Sequence, residues 1–111
     1  MLQSLKENAE RVFPDADIQA FLAEEQALRY AERAGCDVLL CEICPPRLEG
    51  LFLAENIQKR YPKVNIIFVT VCSESEHAKT VMRLKPSGYL TKEATNHQIQ
   101  EELRNLRYPI T

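Results

Sequence analysis

Three polar side chains stand at the ends of three successive apolar segments of the chain. Glu42 closes the first of these segments, Thr70 ends the second and Lys92 follows the third. A carboxylate, a hydroxyl and an ammonium group on one rim suit a phosphoryl group, because they offer an acceptor or metal ligand, a hydrogen bond to a phosphate oxygen and a positive partner. A single polar residue at a strand end is usually only solvated, so the prediction of a site depends on all three occurring together.

These groups meet only if the apolar segments form a parallel sheet, whose strands end at a common edge. Strict alternation of helices and strands with short connections predicts such a sheet, with helices on both faces in a three-layer α/β/α architecture. The hydrophobic periodicity predicts five helices and four strands. The helices are expected at residues 2–13, 23–34, 51–61, 74–85 and 96–107, and the strands at 18–22, 38–41, 64–70 and 88–91.

Local signals mark several of the predicted helix ends. Gly35 is expected to end the second helix, and Ser73 with Glu76 forms a capping box that would begin the fourth. Thr95 is expected to cap the last helix.

The four cysteines at positions 36, 41, 44 and 72 are expected to be reduced thiols. Cys41 and Cys44 form a CxxC pair, but a zinc site needs further ligands, and the two histidines are isolated on predicted helices. We therefore expect Cys36 and Cys41 to be small core residues, and Cys44 and Cys72 to be loop residues. No metal-ligating residue is predicted.

The composition is that of one soluble domain covering residues 1–111, with a net charge of −2. It argues against a polybasic nucleic-acid module, and no direct nucleic-acid binding is expected. The apolar stretches are too short for a membrane helix, and no secretory signal is visible, so neither membrane association nor export is expected. The cytoplasm is the predicted location.

Residues 35–51, 65–70 and 87–92 resemble the corresponding stretches of the receiver domain of two-component response regulators, and the likeness covers essentially the whole chain. The resemblance implies a flavodoxin-like fold and a role in phosphorelay signal transduction. It also implies three site residues. Thr70 matches the switch hydroxyl that approaches the phosphoryl oxygens, Lys92 matches the lysine that pairs with the phosphoryl group, and Tyr89 matches the aromatic residue that swings inward on activation.

The chain departs from the family pattern at three places. Glu42 occupies the position of the phosphoacceptor aspartate, and its extra methylene changes the in-line geometry. The first strand of the family, with its metal-binding acidic pair, has no counterpart, so Mg²⁺ is expected only if residues outside this chain supply that pair. Glu93 stands where the family usually has a proline.

These departures favour a degenerate receiver that is not an enzyme and acts through protein contacts, with a sensor histidine kinase or an output domain as its partner. Two alternatives stay open. The chain is a fragment of a phosphorylatable regulator whose first strand and DNA-binding domain lie elsewhere, or it is a thiol or zinc module.

The unmatched first strand also has a structural consequence, because the resemblance places that strand in the centre of the sheet. We expect either direct pairing of residues 18–22 with 38–41 in a four-stranded sheet, or a strand supplied by a second chain. The resemblance implies a homodimer or an inter-domain contact through the fourth helix, last strand and last helix, roughly residues 74–107. Strand exchange would give another kind of homodimer.

Overall fold

A computed structural model describes residues 2–43, 49–70 and 78–109. Its helices are α1 (Leu2–Val12), α2 (Glu24–Ala34), α3 (Glu49–Arg60), α4 (Ala78–Arg83) and α5 (Asn96–Arg104), and its strands are β1 (Val38–Ile43), β2 (Asn65–Thr70) and β3 (Gly88–Thr91). In the part of the chain that the structure describes, no helix is long and apolar enough to cross a membrane.

The sheet is parallel and has the order β1-β2-β3. β2 is its central strand and is buried at all six positions, as its density of β-branched residues predicts. Two apolar clusters cover the two faces. Ile66 and Phe68 pack with α3 on one face, while Ile67 and Val69 pack with α1 and α5 on the other. The predicted α/β class with helices on both faces of a parallel sheet is therefore confirmed.

The predicted strand at residues 18–22 is wrong, and so is its direct pairing with β1. The segment is irregular, and the sheet of the described residues has three strands. Contacts with α2 hold this segment in place: Tyr30 donates a hydrogen bond to Asp17 at 2.5 Å, and the Tyr30 and Phe21 rings lie 5.6 Å apart. A cavity of about 600 Å³ extends between the segment and β1, so no backbone ladder joins them.

Helix ends follow the predicted local signals where the structure describes them. Gly35 ends α2 with a φ of +83°, a conformation that favours glycine, and its N–H donates to the Ala31 carbonyl. Thr95 begins α5 in a reciprocal capping box with Gln98. The predicted capping box of Ser73 and Glu76 lies outside the described residues.

A buried asparagine ties together the end of the sheet at which the strands begin. The Asn65 side chain is 1% exposed and donates to the carbonyls of Asp37 at 3.2 Å and Tyr108 at 2.9 Å. It accepts from the Ser87 hydroxyl at 2.9 Å and from the Tyr108 N–H at 2.7 Å. These bonds help to fix the strand register, which in turn decides which residues meet at the opposite edge.

Candidate functional site

The carboxyl ends of the three strands bring Glu42, Thr70 and Lys92 to one edge of the sheet. In the register, Ile43 lies beside Thr70, and Thr70 lies beside Thr91. The Lys92 N–H donates to the Thr70 carbonyl at 2.9 Å, which fixes the backbone immediately after β3. The sequence prediction that these groups share a rim thus agrees with their positions, whereas the roles implied by the resemblance stay predictions.

Glu42 and Lys92 form an ion pair through Oε1 and Nζ. Their strands are separated by β2, so the two long side chains reach toward each other across the end of the central strand. Both side chains keep contact with water, with relative exposures of 41% for Glu42 and 37% for Lys92. At this rim, the negative charge of Glu42 and the positive charge of Lys92 therefore already compensate each other.

Thr70 and Tyr89 differ sharply in their exposure to solvent. Thr70 is 2% exposed at the end of the buried strand β2. Tyr89 is 39% exposed, because alternation along β3 points its neighbour Leu90 into the core and Tyr89 to the other face. The aromatic ring that the resemblance associates with switching therefore lies in contact with solvent in this structure.

The described residues do not fit a divalent metal ion at this rim. Glu42 is engaged by Lys92, and residues 2–43, 49–70 and 78–109 hold no group of three or more His, Cys, Asp or Glu side chains placed to bind a metal. A hard cation such as Mg²⁺ requires several oxygen ligands around it. No chemical step is therefore assigned to a metal here.

Cys41 and Cys36 are protonated thiols in structural positions. The Cys41 thiol donates to the Gly50 carbonyl at 2.8 Å, and burial, together with the charges of Glu24 and Glu42, raises its pKa to about 12. Burial and the nearby Asp37 raise the pKa of Cys36 to about 11. A thiol of such high pKa is a poor nucleophile and a poor metal ligand at neutral pH. Cys44 and Cys72 lie outside the described residues.

Gly50 is a residue of the site whose role the sequence analysis missed. It lies in the first turn of α3, where a Cβ atom would stand 2.2 Å from the Glu42 carbonyl oxygen and 3.0 Å from the Cys41 sulfur. A side chain here would push α3 away from the end of β1. A glycine shortly after a double proline and before an amphipathic helix is an ordinary turn signal, so the sequence gives no hint of this contact.

Comparison with known proteins places this geometry in a family. The family description "Response regulator receiver domain" matches residues 2–104. The response regulator GacA of Pseudomonas aeruginosa is 27% identical over 82 residues, which are 74% of this chain and 38% of GacA. The transcriptional regulatory protein DegU of Brevibacillus brevis is 29% identical over 69 residues, which are 62% of this chain and 29% of DegU. The chain thus spans less than half the length of these relatives.

Solved structures agree with the fold. The CheY-like receiver domain protein of Methanospirillum hungatei JF-1 superposes with a TM-score of 0.79 at 22% identity, covering 93% of this chain and 81% of the other. The BeF3-activated DrrB receiver domain superposes with a TM-score of 0.77 at 17% identity, covering 93% and 84%. Together with the family match over nearly the whole length, this means that the chain belongs to the response regulator receiver domain family of two-component signalling.

Proposed function

We propose that this receiver domain signals through protein contacts and that the Glu42–Lys92 ion pair occupies the position at which the family carries its phosphoacceptor. The ion pair is the observation that carries the proposal. In a receiver that accepts phosphate, the carboxylate and the lysine at this rim must both contact the incoming phosphoryl group. Here each of the two groups already has the other as its partner.

Phosphoryl transfer to Glu42 has little support in the geometry. The transfer would join a Glu42 carboxylate oxygen to phosphorus, break the bond from phosphorus to the donor's leaving group and release that group. The carboxylate would first have to give up Lys92, and the described residues offer no metal cluster to offset the added negative charge. The domain is accordingly proposed to be a non-enzymatic signalling module that uses no cofactor.

The partner is proposed to be a protein, either a sensor histidine kinase or an output domain, in the cytoplasm. The named relatives support this, since GacA is a response regulator and DegU a transcriptional regulatory protein, and each is much longer than the matched region. Homodimerisation through α4, β3 and α5, or through strand exchange, is a further proposal, and no direct contact with nucleic acid or membrane is proposed.

A second candidate is a part of a phosphorylatable regulator whose first strand and DNA-binding domain lie outside these 111 residues. The observation that favours it is that the match covers 38% of GacA and 29% of DegU. Under this alternative an acidic pair from outside the chain would complete a Mg²⁺ site, and Glu42 would be a substituted acceptor.

Treatment with acetyl phosphate and Mg²⁺ tests the first proposal on the 111 residues, and the same treatment of a longer chain that includes the upstream coding sequence separates the two functions. We expect the intact mass of the protein to stay unchanged, and the amide resonances of Thr70, Tyr89 and Lys92 to stay in place when beryllofluoride is added. Glu42→Gln and the neighbouring Glu93→Gln serve as a matched pair. A gain of one phosphoryl group that Glu42→Gln abolishes and Glu93→Gln retains would overturn the proposal.

A further inference from the structure

The segment that follows α5 crosses the end of the sheet at which the strands begin. Residues 106–109, which we call the strap, form neither helix nor strand. Their side chains alternate in exposure, since Leu106 and Tyr108 are partly buried whereas Arg107 and Pro109 are exposed. The strap therefore lies with one side against the protein and the other toward solvent.

Two side chains of the sheet end supply the hydrogen bonds that hold the strap. Asn65 accepts from the Tyr108 N–H at 2.7 Å and donates to the Tyr108 carbonyl at 2.9 Å, so its amide binds both backbone groups of one residue. The Ser87 hydroxyl accepts from the Arg107 N–H at 3.0 Å. Among the described residues, no backbone-to-backbone hydrogen bond joins residues 106–109 to the sheet. The hydrogen-bonded attachment of the strap therefore depends on these two side chains.

The amide of Asn65 uses its full hydrogen-bonding capacity at this position. A primary amide offers two N–H donors and an oxygen with two lone pairs. Beyond the two bonds to Tyr108, the second donor goes to the Asp37 carbonyl at 3.2 Å and the second lone pair accepts from the Ser87 hydroxyl at 2.9 Å. Asp37 directly precedes β1 and Ser87 directly precedes β3. One side chain thus joins the beginnings of all three described strands to the strap.

A cavity beside the strap limits how much packing holds it. The cavity has a volume of about 390 Å³ and lies between the strap and the ends of α1 and α5. Its walls include Val12, Phe13 and Leu103 together with Leu106 and Tyr108 of the strap. Side chains at a cavity lack contacts on one side, so the strap gains less from packing than a core segment does. Opening the strap should therefore be easier than unfolding the sheet.

We propose that the strap is a conformational device that opens and closes at the end of the sheet opposite the rim, with Asn65 and Ser87 as its clamp. On opening, the three hydrogen bonds to the strap break, while those from Asn65 to Asp37 and from Ser87 to Asn65 stay and the sheet remains folded. The surface at this end then changes without any change at Glu42 and Lys92. The inference goes beyond the proposed function and uses none of the rim residues.

Native-state hydrogen exchange of the whole 111-residue chain tests the device. We expect the amides of Arg107 and Tyr108 to be at least about tenfold less protected than that of Ile67 in the central strand, because the strap opens without the sheet. Low concentrations of urea should hardly change exchange at Arg107 and Tyr108, since local opening exposes little surface. The same concentrations should accelerate exchange at Ile67, which requires a larger opening.

Ser87→Ala tests the clamp with a mild substitution. It removes the hydroxyl that accepts from the Arg107 N–H and donates to the Asn65 side chain. We expect the protection of Arg107 and Tyr108 to fall about tenfold, because each lost hydrogen bond favours the open strap. The protection of Ile67 should stay within about twofold of its original value, which a general loss of stability would not allow.

Asn65→Leu removes the whole clamp while keeping a side chain of similar volume. We expect Tyr108 to lose its protection entirely, whereas Ile67 stays protected. Asn56→Leu is the matched control, since Asn56 is an exposed residue of α3 that bonds only within its own helix, to the Phe52 carbonyl. It should leave the strap unchanged. If Asn65→Leu does not fold, Ser87→Ala and the urea dependence decide.

Three results would overturn the proposal. Equal protection and equal urea dependence of Tyr108 and Ile67 would mean that the strap opens only when the sheet unfolds. Unchanged protection of Tyr108 in Ser87→Ala would mean that the clamp does not hold the strap. A parallel loss of protection at Tyr108 and Ile67 in that variant would make Ser87 a residue of the fold alone.

Discussion

Glu42 and Lys92 show how one residue type changes the chemistry of an otherwise familiar arrangement. The carboxylate and the ammonium group lie at the ends of β1 and β3 and reach each other across β2. Because each side chain is more than a third exposed, water and salt screen the attraction, and the pair contributes at most about 1 kcal/mol to stability. The ion pair matters because it engages both the Glu42 carboxylate and the Lys92 ammonium group.

Glu42→Gln should therefore alter the local structure more than the stability. We expect the free energy of unfolding to change by less than about 1 kcal/mol in a urea titration. The amide resonances of Lys92 should shift, since its ammonium group loses its ionic partner. Glu93→Gln, at an exposed neighbouring position, is the control. A loss of several kcal/mol for Glu42→Gln alone would mean that the ion pair supports the fold.

The thiols of Cys41, which is buried, and Cys36, which is partly buried, predict a loss of stability in alkaline solution. Burial raises the pKa of Cys41 from 9.0 to about 12 and that of Cys36 to about 11, so the native state disfavours both thiolates. Because the pKa is raised in the native state, the protonated thiols contribute fully to the free energy of unfolding below pH 9. This contribution declines as the pH rises through about 11 to 12. The urea midpoint should fall over this interval. In the double variant Cys36→Ala, Cys41→Ala the fall should be smaller, and an identical fall would assign it to lysine and tyrosine titration.

At the scale of elements, the sequence predicts best where an element carries its own signal. β2 is dense in β-branched residues, and α5 begins with a capping threonine; both are present as predicted. Segment 18–22 has comparable alternation but no strand beside it, and contacts to α2 hold it across the cavity from β1. A strand depends on its neighbours, and these neighbours are not encoded within the segment itself.

The candidate site follows the same logic. Glu42, Thr70 and Lys92 could be predicted to share a rim because each closes an apolar segment, and parallel strands end together. The contact of Gly50 with β1 and the hydrogen bonds of Asn65 could not be predicted from the sequence. They depend on how α3 approaches β1 and on how the chain at Tyr108 returns to the sheet. Contacts between segments that are far apart in the chain cannot be inferred from the local spacing of residue types.

Gly50→Ala tests the approach of α3 to the end of β1. The added Cβ would meet the Glu42 carbonyl at 2.2 Å, and because this is backbone, the helix must shift. We expect a loss of about 1 to 3 kcal/mol in the free energy of unfolding. Gly88→Ala is the matched control, since its Cβ would meet the Glu102 carboxylate, which can rotate away. Equal losses for both variants would contradict the proposed rigidity of the α3 contact.

At the scale of the whole molecule, the described residues combine a well-packed sheet interior with an unpaired outer edge at β1. Helices cover both faces of β2, and Asn65 closes the end where the strands begin. Along the outer side of β1, by contrast, backbone groups face a cavity of about 600 Å³. Stability should therefore be unevenly distributed, because amides open to water exchange more readily than amides held in a ladder.

Hydrogen exchange of the free protein measures this asymmetry within a single strand. The N–H groups of Leu39 and Cys41 point toward β2, whereas those of Val38 and Leu40 point toward the cavity beside β1. We expect Val38 and Leu40 to exchange at least about tenfold faster than their neighbours, since only the latter require the ladder to open. Ile67 of the central strand provides an internal reference that should exchange slowly. The comparison is insensitive to overall stability, because global unfolding exposes all five amides equally. Equal protection along β1 would show that the edge is already paired in solution.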